Sequence, residues 1–127
     1  MKMILLDSLY SIIRKECTEK GVKYWLSLNN THFIYKAHFP GQPIIPGVCV
    51  IQICLEIASD YLNRSLEIDR VNNVKFLSVM SPLEVHGNVI CELTKVIEEE
   101  PNRLKVQMLI FDDQVTYAKI SLTLKQI

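Results

Sequence analysis

Five of the nine prolines and glycines in this 127-residue chain lie within the eight residues 40–47. Proline fixes φ, lacks an N–H donor and pushes the residue before it toward extended geometry. Neither a helix nor a strand is expected to run through such a segment. The sequence therefore predicts a stiff, irregular loop between two apolar regions, which is a suitable position for a shaped site.

A long helix is predicted directly after this loop. Residues 47–63 contain no proline and no glycine after Gly47, and they are apolar on nearly every side, which is typical of a buried central helix. The polar residues Gln52, Glu56 and Asp60 recur every four positions, so they share one face. We expect Asp60, near the end of the helix, to be solvated.

The other segments predict one short helix and six strands. Apolar spacing favours a helix over Leu5–Glu16 that is stopped by Gly21. Alternation and β-branched residues predict strands over the remaining segments, which are 23–29, 32–39, 71–79, 84–97, 104–111 and 115–124. Together these elements indicate one α+β domain over residues 1–127, with a long antiparallel sheet wrapped around one central helix.

Charge and hydropathy exclude several classes of function. Lys and Arg number 14, as do Asp and Glu, so the net charge is zero and argues against binding nucleic acid through its backbone. The longest uncharged stretch, 37–55, contains three prolines and so argues against a membrane span. Residues 1–6 are too short for a signal peptide. We expect a cytoplasmic protein that binds neither nucleic acid nor membrane.

The four cysteines form no C-x-x-C pair and no spacing typical of a zinc site. Neither a metal nor a cofactor is therefore predicted. Buried thiols that act as small hydrophobes are the main interpretation for Cys17, Cys49, Cys54 and Cys91. A nucleophilic Cys49 near a helix start is the alternative, because a helix N-terminus lowers a thiol pKa.

Residues 38–48 read H-F-P-G-Q-P-I-I-P-G-V. This run resembles the H-F-P-G-x-P-x-x-P-G-V signature of 3-hydroxyacyl-[acyl-carrier-protein] dehydratases of the FabZ/FabA type, at every fixed position. The order of the predicted elements also resembles the hotdog fold of that family. The turn Ser81-Pro82-Leu83-Glu84 stands where the family commonly has a Pro-Gly-Asp-type turn, which indicates a divergent branch.

The resemblance implies specific roles for four residues. The catalytic histidine of the motif maps onto His38, and the glycine whose N–H binds the thioester carbonyl maps onto Gly47. The position of the family's catalytic carboxylate is occupied by Gln52, and the position of its usual glutamine by Glu56. Acid and amide are thus exchanged, one helical turn apart.

The chemistry of these residue types fits the same reaction. Elimination of water from a 3-hydroxyacyl thioester needs a base at C2, a proton donor for the hydroxyl and a hydrogen-bond donor for the carbonyl oxygen. A neutral imidazole such as His38 suits the first task, and the N–H groups at a helix start suit the third. A carboxyl group on an apolar helix, such as Glu56, suits the second because desolvation favours its protonated form.

Each candidate also has a structural interpretation. His38 could be a hydrogen-bonded core histidine, and Gln52 could bind the substrate hydroxyl without giving it a proton. Glu56 could form an ion pair with Lys75, Arg70 or Arg64. His32 and His86 belong to no motif, and we expect both to be structural.

The first hypothesis is therefore a hydro-lyase of fatty-acid or polyene-type synthesis. The resemblance implies a substrate carried on the phosphopantetheine of an acyl carrier protein, and a homodimer or higher oligomer with two interface sites. A non-catalytic acyl-binding subunit, or a heterodimer partner of a paralogous dehydratase, is the alternative, with a thioesterase last. Lys36 and Arg64 are weak candidates for carrier docking, and the run Glu98-Glu99-Glu100 is expected to form an exposed turn.

Overall fold

The computed structural model describes residues 3–37, 41 and 43–127 in full, and His38 by its backbone. Six antiparallel strands form one sheet in the order β1-β2-β4-β5-β6-β3 around one long helix. The predicted α+β architecture is thus confirmed. The elements are β1 (Tyr10–Cys17), β2 (Val22–Leu28), α1 (Ile34–His38), α2 (Gly47–Leu62), β3 (Leu66–Phe76), β4 (Val89–Glu100), β5 (Arg103–Phe111) and β6 (Thr116–Gln126).

The predicted helix over residues 47–63 is present as α2, and it forms the centre of the core. Seven consecutive residues, Ile53–Ser59, are buried, because the sheet covers more than one side of the helix. Each buried aliphatic side chain contributes about 1.5–3 kcal/mol relative to exposure. The helix ends at Asn63, which adopts the left-handed conformation with φ 52° and donates its N–H to the Asp60 carbonyl.

The helix predicted over Leu5–Glu16 is wrong. The N–H groups of Ser8 and Leu9 bond to the Leu5 carbonyl in one tight turn, and the chain then continues as β1, paired with β2. Gly21 does not stop a helix but closes the β1–β2 hairpin, in which the Thr18 N–H donates to the Gly21 carbonyl. Pairing with β2 decides the conformation here, although the apolar spacing fits a helix.

The strand predicted over 32–39 is also wrong, because the described residues 34–38 form α1. The Asn29 side chain accepts the N–H and O–H of Thr31, and Nδ1 of His32 accepts the N–H of Ile34. These side-chain acceptors start a helical turn even though the segment is rich in aromatic residues. Phe39, the last residue of the predicted strand, lies outside the described residues.

The four predicted C-terminal strands are present with shifted ends. β3 begins at Leu66 and β4 at Val89, and β5 and β6 form the predicted hairpin. The acidic run at 98–100 is the end of β4 rather than a turn. Its three carboxylates form ion pairs with basic side chains, which are Arg64 for Glu98, Lys105 for Glu99 and Arg103 for Glu100.

The loop before β4 is fixed by one buried carboxylate, Asp112. Its oxygens accept the N–H groups of His86, Gln114 and Val115 and the Tyr117 hydroxyl. Burial alone would raise the pKa of Asp112, but these hydrogen bonds outweigh it and hold the pKa well below its usual range. Asp112 therefore ties the β5–β6 turn to the loop that precedes β4.

Candidate active site

The motif histidine lies at the end of the short helix α1. The backbone of His38 is helical, while its side chain lies outside the described part of the structure, as do Phe39, Pro40 and Gln42. Its predicted role as the base therefore stays a prediction. The helix places position 38 directly before the loop that leads to α2.

The start of α2 offers two backbone donors. Pro46 precedes the helix in an extended conformation, and its carbonyl accepts the N–H groups of Cys49 and Val50 at 2.9 and 3.2 Å. Among the described residues, the N–H groups of Gly47 and Val48 have no acceptor. Free N–H groups at a helix start, where the dipole favours negative charge, suit a carbonyl oxygen that gains charge in a reaction.

An apolar groove of about 270 Å³ begins at this helix tip. Gly47 forms part of its wall, and a Cβ at this position would lie 2.8 Å from Cζ of Phe76. The N–H of Ile45 donates to the Met80 carbonyl at 2.9 Å, which ties the end of the motif loop to the segment after β3. The groove is lined by Ile44, Ile45, Gly47, Val50, Phe76, Ser78, Val79, Met80, Tyr117 and Ala118.

Glu56 is buried, with only 1% of its surface exposed. Its Oε1 accepts the Leu6 N–H at 2.8 Å and the Tyr10 hydroxyl at 3.1 Å. Its Oε2 accepts the Leu5 N–H at 3.0 Å and Nε2 of Gln52 at 2.8 Å. Four donors fill the acceptor sites of one carboxylate. Glu56 thus joins the segment before β1 to the middle of α2.

The ion pair considered for Glu56 is not formed within the described residues. Arg64 instead pairs with Glu98, so its charge is neutralised and it is a poor site for an acidic partner. Gln52 is half-buried and lies one turn nearer the helix tip than Glu56. Of the exchanged acid and amide, the amide is therefore the one placed closer to Gly47.

Asp60 is predicted to be solvated, but in the structure it is partly buried and has two partners. It accepts a hydrogen bond from the Tyr24 hydroxyl and lies 3.4 Å from Nζ of Lys15. Burial raises the pKa of Tyr24, and the hydrogen bond to Asp60 and its charge raise it further. The third polar residue on the helix face is thus engaged with the β1–β2 hairpin.

The cysteines divide into buried and exposed thiols. Burial raises the pKa of Cys49, which disfavours the thiolate and argues against a nucleophile at the helix start. Cys54 and Cys91 are fully buried and hydrogen-bonded to each other, as expected of core thiols. Cys17, at the end of the edge strand β1, is exposed, so the prediction that it is buried is wrong.

The ApeI-like family, described as ApeI dehydratase, matches residues 14–119. The chain belongs to the ApeI-like dehydratase family. The predicted resemblance to FabZ-type dehydratases is confirmed, since this member of the ApeI-like family also matches curated FabZ proteins.

Two FabZ 3-hydroxyacyl-[acyl-carrier-protein] dehydratases show how far the sequence of this chain has diverged from curated relatives. The protein from Caulobacter vibrioides is 30% identical over 60 residues, which cover 40% of this chain and 38% of the relative. The protein from Pediococcus pentosaceus is 24% identical over 96 residues, which cover 68% of this chain and 62% of the relative. The matched region is thus less than two thirds of either relative.

Solved structures share the fold of this ApeI-like chain. A chain of the dehydratase heterocomplex ApeI:P from Xenorhabdus doucetiae superposes with a TM-score of 0.68 at 23% identity, covering 91% of this chain and 96% of that one. An uncharacterised protein from Erwinia carotovora subsp. atroseptica gives 0.70 at 20% identity, covering 94% and 98%. The predicted hotdog fold is confirmed. No helix in the described part of the chain is long and apolar enough to cross a membrane.

Sequence reasoning missed two tyrosines near the site of this ApeI-like protein. Tyr10 lies in the segment that was predicted as a helix, so no feature of the sequence indicated its hydrogen bond to Glu56. Tyr35 is 5% exposed, and its hydroxyl has no hydrogen-bond partner among the described residues. Burial raises the pKa of Tyr35 to about 12, with a smaller effect from Cys49. Nothing in the sequence distinguishes these tyrosines from others in the core.

Proposed function

We propose that this chain is a 3-hydroxyacyl-[acyl-carrier-protein] dehydratase, which eliminates water from 3-hydroxyacyl thioesters in fatty-acid or polyene-type synthesis. The observation that carries the proposal is the α2 tip, where the Gly47 N–H has no acceptor among the described residues and an apolar groove begins. Membership of the ApeI-like dehydratase family supports the same reaction. The groove suits an acyl chain because ten mainly apolar residues line it.

In this proposal His38 takes the C2 proton of the substrate and the Gly47 N–H binds the thioester oxygen. The enolate that forms expels the C3 hydroxyl, which leaves as water when it receives a proton. One donor at such an oxygen typically contributes about 3 kcal/mol to the barrier reduction. No cofactor is needed beyond the phosphopantetheine arm on which the substrate arrives.

This chain differs from the family pattern at the step in which the C3 hydroxyl is protonated and leaves. Gln52 has no acidic proton, and the Glu56 carboxylate already accepts four hydrogen bonds. We therefore assign Gln52 to orient the hydroxyl and Glu56 to orient Gln52. The proton that His38 removes from C2 is then the one that it returns to the hydroxyl as imidazolium.

The filled acceptor sites of Glu56 also favour a second candidate function. A chain with no free acid near the helix tip could bind an acyl thioester without converting it, as one subunit of a heterodimer with a paralogous dehydratase. A structural neighbour of this chain belongs to a dehydratase heterocomplex, ApeI:P, which is compatible with such an assembly. Purification alone and together with a second hotdog chain separates the two candidates, because only the subunit needs its partner for activity.

A second chain, identical or paralogous, is proposed to pair along the edge strand β3. This strand has a described neighbour on one side only, which is β6. Exposed apolar side chains continue from it toward the groove, at Val71, Phe76, Leu77 and Val79. An unpaired edge with such side chains is a site for strand addition. The working location that we propose for this assembly is the cytoplasm.

The decisive experiment follows enoyl thioester formation from 3-hydroxyacyl-pantetheine by ultraviolet absorbance. We expect His38→Ala to lower kcat by at least 100-fold and Gln52→Ala by about 10-fold, in line with the usual size of acid–base contributions. Lys36→Ala, an exposed change on the same helix, serves as the matched control. An unchanged rate for His38→Ala would sink the assignment.

A further inference from the structure

Two lysines face each other across the β3–β6 pair. Lys75 on β3 is the register partner of Lys119 on β6, and both residues are exposed. Like charges directly opposite each other destabilise a strand pair. Within the described residues neither lysine has a carboxylate partner, whereas Lys105 and Lys125 of the same sheet pair with Glu99 and Glu67. The Lys75–Lys119 pair therefore carries an electrostatic cost that no ion pair among the described residues offsets.

The nearest acidic residue in this row of the sheet is too distant to neutralise the pair. Leu109 is the register partner of Lys119 on β5, and Glu92 is the partner of Leu109 on β4. Two strand spacings separate Glu92 from Lys119, or about 10 Å. Glu92 also has Lys23 directly opposite on β2. Positive charge thus remains uncompensated at the β3 edge of the sheet.

A shallow concavity beside the pair is lined by Lys119, by neutral polar groups and by the apolar residues Met108, Leu109 and Ile120. Its volume is about 370 Å³, and no carboxylate belongs to its lining. Amide and hydroxyl groups donate hydrogen bonds to anionic oxygens, and an ammonium group strengthens such contacts. The polar lining residues are Asn73, Thr94, Gln107, Lys119 and Ser121.

This surface lies at the same edge of the sheet as the apolar groove. Phe76 and Ala118 adjoin the two lysines in sequence, are register partners of each other and line the groove. Side chains alternate between the faces of a sheet, so the lysines point away from the groove. Lys75 is the penultimate residue of β3, so a flexible arm held at the lysines could pass the end of the strand at Phe76 and enter the groove. Addition of a strand to β3 would leave this outer face uncovered.

We propose that Lys75 and Lys119 form the docking surface for an acidic carrier domain that delivers the acyl thioester. The inference rests on the proposed function, and it names a surface of this chain that the motif does not indicate. An acidic partner would neutralise the two opposed lysines. The loss of their mutual repulsion would then contribute to the affinity of the complex. Such a contact acts mainly on encounter and weakens as salt rises.

The test compares two substrates that carry the same acyl group. One is 3-hydroxyoctanoyl acyl carrier protein and the other is 3-hydroxyoctanoyl pantetheine, which has no carrier domain. For the double variant Lys75→Glu/Lys119→Glu we expect KM for the carrier substrate to rise at least 10-fold. We expect kcat, and both constants for the pantetheine substrate, to stay within twofold. The salt dependence of KM for the carrier substrate should also flatten.

Lys95→Glu is the matched control, because Lys95 is an exposed lysine of the same sheet on β4, which β5 separates from β6. An unchanged KM for the carrier substrate in the double variant overturns the inference, and so does an equal loss with both substrates. If the wild-type chain turns over neither substrate, the proposed function fails instead. Titration calorimetry with the 3-hydroxyoctanoyl carrier then tests docking by itself. A 10-fold loss of affinity in the double variant supports it, and equal affinity overturns it.

Discussion

Nε2 of Gln52 lies 2.8 Å from Oε2 of Glu56, so the amide at the position where the resemblance to FabZ/FabA-type dehydratases implies an acid is held by an acid one turn later in α2. The amide donates and the carboxylate accepts, which is the only polarity that an ionised carboxylate permits. A hydrogen bond therefore joins the two positions, and the acidic group is the one that lies deeper in the core.

Gln52→Glu tests whether an acid at this position restores proton donation. Two carboxyl groups at this distance repel each other when ionised, so one pKa rises and a proton is retained near neutral pH. We expect kcat with 3-hydroxyacyl-pantetheine to increase about 10-fold, since general acid catalysis contributes at least that much. Gln52→Ala is the matched control, and a kcat for Gln52→Glu that does not exceed the wild-type value would contradict the expectation.

The same variant should show a characteristic pH dependence of stability. The unfolded Glu titrates near 4.3, and the folded pair has a raised pKa. The protonated form is thus favoured by folding, and the variant loses free energy of unfolding relative to wild type as pH rises above the unfolded value. Urea unfolding at pH 5 and pH 8 measures this. A loss that is equal at both pH values would exclude a shared proton.

Glu56→Gln should destabilise the protein strongly. The change leaves the N–H groups of Leu5 and Leu6 facing an amide, and removes a buried charge that four donors stabilise. We expect a loss of about 3 kcal/mol in the free energy of unfolding. Glu67→Gln, in an exposed ion pair with Lys125, is the control and should cost less than about 1 kcal/mol. Equal losses for the two variants would mean that the Glu56 network is not structural.

Asp112→Asn should change acid stability. The folded pKa of Asp112 is lowered, so its contribution is present above the unfolded value of about 3.9 and is lost as pH falls below it. We expect the variant to be less stable than wild type by about 2 kcal/mol at pH 7, with the difference shrinking toward pH 2. Chemical unfolding over this range, with the exposed neighbour Asp113→Asn as control, gives the comparison.

Tyr35→Phe should raise stability, unlike most core substitutions. The hydroxyl of Tyr35 is buried and has no partner among the described residues, so its removal relieves a desolvation cost. We expect a gain of about 1 kcal/mol, read as a higher urea midpoint with an unchanged slope. Tyr10→Phe, which removes a bonded hydroxyl, should change stability in the opposite direction. A loss of stability in Tyr35→Phe would show that the hydroxyl has a partner.

Gly47→Ala should close part of the groove. The new methyl group would lie 2.8 Å from the Phe76 ring, which must move because this distance is shorter than an ordinary van der Waals contact. We expect KM for the acyl substrate to rise and the free energy of unfolding to fall by about 1–2 kcal/mol, as in other overpacked sites. Phe76→Leu in the same chain should recover most of both losses. Failure of this rescue would locate the effect in the helix backbone instead.

The sequence predicted the parts of this protein in which local pattern and tertiary environment agree. The continuous apolar run of α2 can only be buried, and the strands from β3 onward combine β-branched residues with clear turns. Leu5–Glu16 fails because Ile12 and Ile13 fit a helix by spacing and a strand by shape, and only pairing with β2 decides between them. The segment at 32–39 fails because side-chain acceptors, not hydropathy, start α1.

The candidate site was predictable in position but not in detail. The loop motif predicts where α2 begins, because its prolines and glycines exclude a regular helix or strand up to that point. The filled acceptor sites of Glu56 depend on Leu5, Leu6 and Tyr10, which lie about 50 positions earlier in the chain. No spacing rule reaches over that distance, so the sequence alone does not indicate the structural role of this acid.

The contact between Gly47 and Phe76 connects the tip of α2 with the edge strand β3. The Phe76 ring over the helix tip belongs to β3, one of the two edge strands of the sheet, and more than half of its surface is exposed. A chain that packs against β3 will therefore also limit the rotation of the Phe76 side chain. If the proposed second chain pairs along β3, its recruitment and the admission of a substrate become one event, and dilution should lower the activity of the protein before the protein unfolds.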